Sequence, residues 1–318
     1  MGGLPHRTGG RAATRAGGYG AVVSARGRLA RNPFLVGLAP SLLVLGAVTI
    51  LPTLYLIATS LTPLTLTNPD TAADFSRPHA NYLALLADSR FHNSVWVQVK
   101  LSVATVGLQL LVGLALALVL NLRSGFLEVC RTVFLLPMVL PPIVVAIIWK
   151  VLYTPDISPV LAGLRALGLP APAPITEPGL ALWAIVLADV WEWFPFTMLM
   201  TLAALQMLPE QPLEAARIDG ASAWQTFRYI VLPLLRPALL VAGLFRLIDS
   251  VKAFPLIYIL TDGGPGTVTE VTNYYAFVQA FNFSYLGFSS AITVVMVAAT
   301  FLLSWWIVRL VGTEVEVE

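Results

Sequence analysis

The chain has 318 residues, of which 57% are hydrophobic and only 11% charged, with a formal net charge of +2. A soluble domain carries about 25% charged residues, so the apolar excess needs a medium other than water, and lipid is the one that fits. The lone cysteine, Cys130, excludes an intramolecular disulfide and a cysteine metal cluster.

In chain order, residues 1–33 are rich in Gly, Ala and Arg, with Arg7, Arg11, Arg15, Arg26, Arg28 and Arg31 and no acid before Asp70. This composition predicts a disordered tail that acts as a topology anchor, with a lipid-headgroup contact as the second reading. The apolar run that follows is too long for a signal-peptide core and has no small-residue cleavage site after it, so it is expected to be retained. His6 stands where a myristoylation signal needs Ser or Thr.

A helix needs about 20 apolar residues to cross a hydrocarbon core of about 30 Å. Six segments qualify: Phe34–Thr59, Val95–Leu120, Val133–Leu152, Leu180–Leu205, Pro237–Leu260 and Leu286–Val311. The third carries Pro137, Pro141 and Pro142, each of which removes a backbone donor and bends the helix. Such breaks survive where neighbouring helices or a cavity satisfy the freed carbonyls. That favours a bundle with a pathway, and kinks that serve packing alone are the other reading. Arg246, Asp249 and Lys252 interrupt the fifth segment, while the sixth has no charge from Leu286 to Val308.

Basic residues set the orientation. The N-terminal tail, the even-numbered loops (Arg123, Arg131, Arg217, Arg228, Arg236) and Arg309 total twelve, against three in the odd-numbered loops, Arg77, Arg90 and Arg165. Both termini are therefore expected in the cytoplasm, with residues 34–311 forming the transmembrane domain and 312–318 an acidic cytoplasmic tail.

The loop 206–236 is too patterned for a plain linker. Leu208-Pro209-Glu210 opens a short helix, with Glu210 and Glu214 near its positive end. Gly220 closes it, and Ser222 with Gln225 forms a capping box that starts a second helix. Trp224, Phe227, Val231 and Leu234 recur at helical spacing, and Pro233 is expected to stop or kink that helix. Two short helices joined at a glycine make an amphipathic knuckle suited to a groove on a partner.

Within this loop, Glu214-Ala215-Ala216, Gly220 after three residues, and Ile230-Val231-Leu232-Pro233 after nine more resemble the EAA motif of ATP-binding-cassette (ABC) importer permeases. Asn81-Tyr82, Leu135-Leu136-Pro137-Met138-Val139 and the stretch from Leu260 to Gly266 with Gly263-Gly264-Pro265 resemble the carbohydrate-type members, the maltose, trehalose and glycerol-phosphate permeases. The resemblance covers roughly 34–311; it departs from the maltose permease itself in lacking a large inserted outer domain, the first outer loop being about 35 residues.

The resemblance implies an all-α integral membrane protein of the bacterial cytoplasmic (inner) membrane. Its fold would be the type I ABC importer permease fold, six transmembrane helices with a cytoplasmic coupling-helix loop. It implies an ABC ATPase dimer, a second homologous permease and an extracytoplasmic solute-binding protein as partners, and alternating access driven from the ATPase. Glu214 would contact the ATPase, Ala215 and Ala216 would permit close approach, Gly220 would supply the turn, and Asp219, Ile230, Leu232 and Pro233 would complete the coupling surface.

A phosphate-binding loop needs Gly-Lys-Ser/Thr, but the three lysines, Lys100, Lys150 and Lys252, follow Val99, Trp149 and Val251. The chain is thus expected to be non-catalytic and without a cofactor of its own, ATP and Mg being held by the partner ATPase. There is no HExxH or GxSxG, and His6, His79 and His92 lack metal-ligand spacing. Nothing points to nucleic acid; lipid is the remaining partner.

Ionisable residues inside spans mark candidate pathways. Arg246, Asp249 and Lys252 lie three apart on a broad face, where Asp249 can pair with either base. Asp189 and Glu192 flank Trp191, with Trp193 adjacent. The carboxylates suit sugar hydroxyls, and Trp191, Trp193, Phe254 and Tyr258 suit a sugar ring. The other reading is a set of structural ion pairs between the fourth and fifth helices or with a partner permease, with the tryptophans as interfacial anchors. Lys100 and Lys150 read as snorkelling toward the outer surface. Alternatives in transport are an importer of a glycerophosphodiester, polyol or other small solute, and a secondary transporter, for which no internal repeat is visible. An intramembrane enzyme has no catalytic constellation to support it.

Overall fold

The computed structural model describes residues 33–122 and 124–315, with backbone alone at 33–36 and 310–315. The Arg-rich tail before Pro33, Arg123 and the last residues of the acidic tail, for which expectations are given above, lie outside the described residues. The chain divides into residues 1–54 and 55–318. The first unit holds most of helix α1 (Pro33–Ser60), which is apolar and exposed at Leu43, Leu45 and Leu51. Its hydroxyls turn inward: Ser41 donates to the Leu38 carbonyl and Thr53 to that of Thr49. Both bonds hide polar atoms that lipid would not satisfy.

The second unit is helical among its described residues apart from turns and one isolated bridge. After α2 (Ala80–Ala87) come α3 (Ser89–Leu120), α4 (Gly125–Phe134), α5 (Leu136–Val139), α6 (Pro142–Tyr153) and α7 (Pro159–Ala166). Then follow α8 (Ala181–Gln206), α9 (Glu210–Ile218), α10 (Ala223–Thr226), α11 (Leu232–Val251), α12 (Pro255–Leu260), α13 (Thr272–Phe277) and α14 (Leu286–Val315). Asn81 ties the start of α2 to the chain above α1, donating to the carbonyls of Ser60 and Thr62 at 2.8 Å each.

Helices α3 and α8 pack along their lengths, and Gly113 sets how closely. A Cβ there would stand 2.1 Å from Thr197 Oγ1 and 2.8 Å from the Met198 nitrogen, so only glycine allows this approach. Two apolar cores result. One gathers Val97, Leu101, Val145, Ile185 and Ile257; the other gathers Ala117, Leu120, Met198, Leu202 and Leu235. A polar layer lies between them on the same helices.

Among the described residues, five continuous helices are long and apolar enough to cross a membrane, and a sixth crossing is counted when a bent pair is taken as one span. Three expectations need correction. The third segment is not a single kinked helix: residues Gly125–Val139 and Pro142–Tyr153 meet at 97°. Leu140 and Pro141 are extended, with ψ of 140° and 139°, because a residue before proline is driven out of the helical region and two consecutive prolines repeat the effect.

The fifth segment does not run to Leu260. Helix α11 ends at Val251, and Phe254, at φ −142°, precedes Pro255, which opens α12. The third correction concerns Pro233: of the two outcomes expected of it, a stop or a kink, the stop does not occur. Residues 223–251 form one continuous helix, with a π-turn at Phe227–Val231 just before the proline. The wider turn shifts the carbonyl ladder where the proline supplies no N–H. Lys150 is exposed near the end of α6, and its Nζ donates to the Ile259 carbonyl at 2.7 Å, linking α6 to α12.

Candidate functional site

The polar layer is built from three helices. Gln109 of α3 donates through Nε2 to Asp189 Oδ2 of α8 at 2.7 Å and accepts through Oε1 from Arg246 Nε of α11 at 2.9 Å. The guanidinium also meets Asp249 Oδ2 at 3.2 Å and lies 3.9 Å from Asp189 Oδ2. Its flat face rests on the Trp193 ring, 4.3 Å from the centroid, a favourable place for a desolvated cation. Arg246 is 2% exposed and Glu192 1% exposed. One oxygen of Glu192, Oε1, is buried with no hydrogen-bond partner. A buried polar atom left unmade is costly, so this acceptor is available to a donor that enters.

The place it would enter is a cavity of about 200 Å³ lined by Asp189, Glu192, Trp193, Arg246, Asp249, Lys252 and Phe254 among others. Pro142, at the break of the bent pair, and Pro255, at the break after α11, also line it. The broken helices thus leave the space that the charges border. Asp249 pairs with both bases, as the spacing allows, reaching Lys252 Nζ at 3.8 Å.

Two aromatics stand elsewhere. Trp191 packs edge-on against Trp149, with centroids 5.9 Å apart, in an apolar core. Tyr258 stacks on Phe254 at 5.4 Å but does not line the cavity. The expectation that both border the same space as the charges is therefore corrected: one residue along α8 turns a side chain about 100° around the axis, and α12 sets off separately from α11. Trp193 does line the cavity, but the guanidinium covers one face of its ring, so that face is not open to a sugar.

Gln109 is the residue the sequence reading missed. Its signal is a lone amide within the apolar run from Val103 to Leu120. Nearby, Gln98 joins α3 to α11 by donating to the Ser250 carbonyl at 3.0 Å, and Ser250 donates to Ser102 at 2.8 Å.

The knuckle folds by local rules. Helix α9 ends in a Schellman-type cap, with the Ala221 nitrogen on the Ala216 carbonyl at 2.9 Å and Gly220 at φ +74°. The Ser222–Gln225 capping box is present in both directions. Glu214 and Ala215 are exposed, whereas Ala216 is buried. Ala215, Asp219, Gly220 and Ile230 border an open hollow of about 580 Å³. Leu232 and Pro233 lie half-buried at the start of α11 rather than on the hollow. Ile218, Trp224 and Tyr229 stand exposed around it.

Residues 109–316 match the family described as binding-protein-dependent transport system inner membrane components. The chain belongs to this family. It is 40% identical to the trehalose/maltose transport system permease protein MalF of Thermococcus litoralis over 67% of this chain and 72% of that one. To the trehalose transport system permease protein SugA of Mycobacterium tuberculosis it is 32% identical, over 86% and 87%. The sulfoquinovosyl glycerol transport system permease protein SmoG of Agrobacterium fabrum is 34% identical, over 87% and 89%. Among solved structures, a chain of a bacterial ABC transporter that imports the acidic polysaccharide alginate matches with a TM-score of 0.78 at 17% identity, over 91% and 98%. That likeness shows the permease fold.

Proposed function

We propose that this chain is a permease subunit of an ABC importer for a sugar or related polyhydroxylated solute, and that the cavity among Asp189, Glu192, Arg246, Asp249 and Lys252 is its share of the pathway. The observation that carries this reading is the unpartnered Glu192 oxygen beside a fixed Arg246. A solute rich in hydroxyls both donates to a carboxylate and accepts from a guanidinium or ammonium, which is the set of groups this cavity offers. The names of the relatives, two of them trehalose or maltose permeases, support the sugar class.

In this reading the knuckle docks on a partner ATPase through Glu214, Ala215, Ala216, Asp219, Gly220 and Ile230, with Leu232 and Pro233 joining it to α11. A second permease completes the pathway, and an extracytoplasmic binding protein delivers solute. ATP and Mg are bound by the ATPase, and this chain holds no cofactor. Both termini lie in the cytoplasm, in accord with the basic-residue tally. Because residues 223–251 are one helix running from the knuckle to Asp249, a push at one end arrives at the cavity. Access alternates when the two states hold solute with different affinity.

The test is uptake of labelled trehalose, maltose and a polyol by proteoliposomes holding the complex that co-purifies with this chain, for wild type and Glu214→Arg. ATP-dependent uptake of a sugar, lost together with the ATPase in Glu214→Arg, is the expected result. Uptake driven by an ion gradient with no ATPase present would overturn the reading.

A further inference from the structure

A second groove, distinct from the polar cavity, lies on the outside of the α3–α8 pair. It encloses about 680 Å³, and its lining includes Asn93, Trp96, Lys100, Val103, Trp183 and Val186. Lys100 is exposed, its ammonium stands 5.1 Å from the Trp96 ring centroid, and no acid pairs with it among the described residues. Trp96 and Trp183 are each 58% exposed.

Depth decides what the groove meets. From Leu120, at the end of α3, to Lys100 is 20 residues, which at 1.5 Å per residue spans about 30 Å, the thickness of a hydrocarbon core. Lys100 therefore falls at the hydrocarbon–headgroup boundary of the far leaflet, and Asn93, two turns further, falls among headgroups. Trp183, in the first turn of α8, is at a similar height on the neighbouring helix. Paired tryptophans and an unpaired lysine at this level are an interfacial arrangement. Below them, Val103 and Val186 continue the wall as apolar surface. The start of α8 adds the positive end of a long helix.

We propose that this groove is a binding site for one anionic phospholipid. The phosphate sits at Lys100, the glycerol backbone lies between Trp96 and Trp183, and an acyl chain follows Val103 and Val186, while Asn93 at the upper rim is held by its own bond to the Thr267 carbonyl at 3.1 Å. The charge on the protein side is positive and unpaired, the depth is that of a lipid phosphate, and the rest of the groove is apolar.

The test is native mass spectrometry of the whole transporter purified in mild detergent, counting bound phosphatidylglycerol and phosphatidylethanolamine. Wild type is expected to retain phosphatidylglycerol preferentially. Lys100→Gln should lower the retained phosphatidylglycerol about fivefold, the factor one basic residue contributes at an anionic surface, while Lys150→Gln leaves it unchanged. Photolabelling of the wild-type transporter with diazirine-bearing phosphatidylglycerol should mark α3 near Trp96, with no variant needed. Equal retention of both lipids, unchanged retention in Lys100→Gln, or cross-linking of a photoreactive group at position 183 to a protein chain instead of lipid would each overturn the proposal.

Discussion

The polar layer and the knuckle are both rich in charge, yet they are assembled by opposite means. In the knuckle, every bond that fixes the shape joins residues within five positions of one another: Ser222 with Gln225, Ala221 with Ala216, Gly220 with Arg217. In the polar layer, Gln109 reaches Asp189 across 80 positions and Arg246 across 137. The knuckle's charges are exposed, and Glu214 has no ion-pair partner among the described residues. Arg246 and Asp189 of the layer lie buried between two apolar cores and are paired there through Gln109. A local device can be altered without melting the bundle, whereas the layer is both brace and cavity wall.

That contrast breaks most sharply at Arg246. Replacing it by Met leaves Asp189 and the Gln109 oxygen buried without their cation, and removing one partner of a buried pair costs about 3–5 kcal/mol. The expected outcome is a large fall in melting temperature of the detergent-purified chain, read by tryptophan fluorescence, with partial recovery in Arg246→Lys. Wild-type melting in Arg246→Met would mean that the layer does not brace the helices.

Next in size is Gly220→Val. A β-branched residue at φ +74° is strained by about 1–2 kcal/mol, confined to the loop. The expected outcome is a small loss of stability but a large loss of ATP-dependent uptake, because the cap that aims α9 is distorted. Uptake that falls only in proportion to melting would erase the distinction between the two regions.

The smallest stability effect is expected for Glu192→Gln. Its Oε1 has no internal bond to lose, so melting should shift less than in the other two variants, while the sugar concentration for half-maximal uptake rises. A strongly destabilised Glu192→Gln would assign this carboxylate to the brace rather than to the solute.

Much was legible in the sequence where the signal is local or cumulative. A run of some 20 apolar residues is a span whatever its neighbours, so α1, α3, α8 and α14 were readable, and so was the cap at Gly220. Asp189, Glu192, Arg246, Asp249 and Lys252 were singled out because a charge in an apolar run is rare. The bent pair at Leu140–Pro141 was read only as a kink, since proline spacing gives the place of a break but not its angle. Trp191 and Tyr258 were placed on the cavity wall that they do not line, although Tyr258 stacks on Phe254, which does, because adjacency in the chain does not give side-chain direction once a helix turns or ends.

The sequence by itself determined four of the membrane-crossing segments, the knuckle and its caps, and which side chains are too polar for lipid to leave unpartnered. These follow from hydropathy, backbone dihedral preference and hydrogen bonds a few residues long. Only the tertiary structure decided that Gln109 stands between Asp189 and Arg246, that Trp193 carries a guanidinium on its face, and that one oxygen of Glu192 is left open to the cavity. Gly113 fixes how close α3 and α8 come, and that distance determines which polar atoms meet. No pattern along a single chain encodes the spacing between two helices that touch face to face.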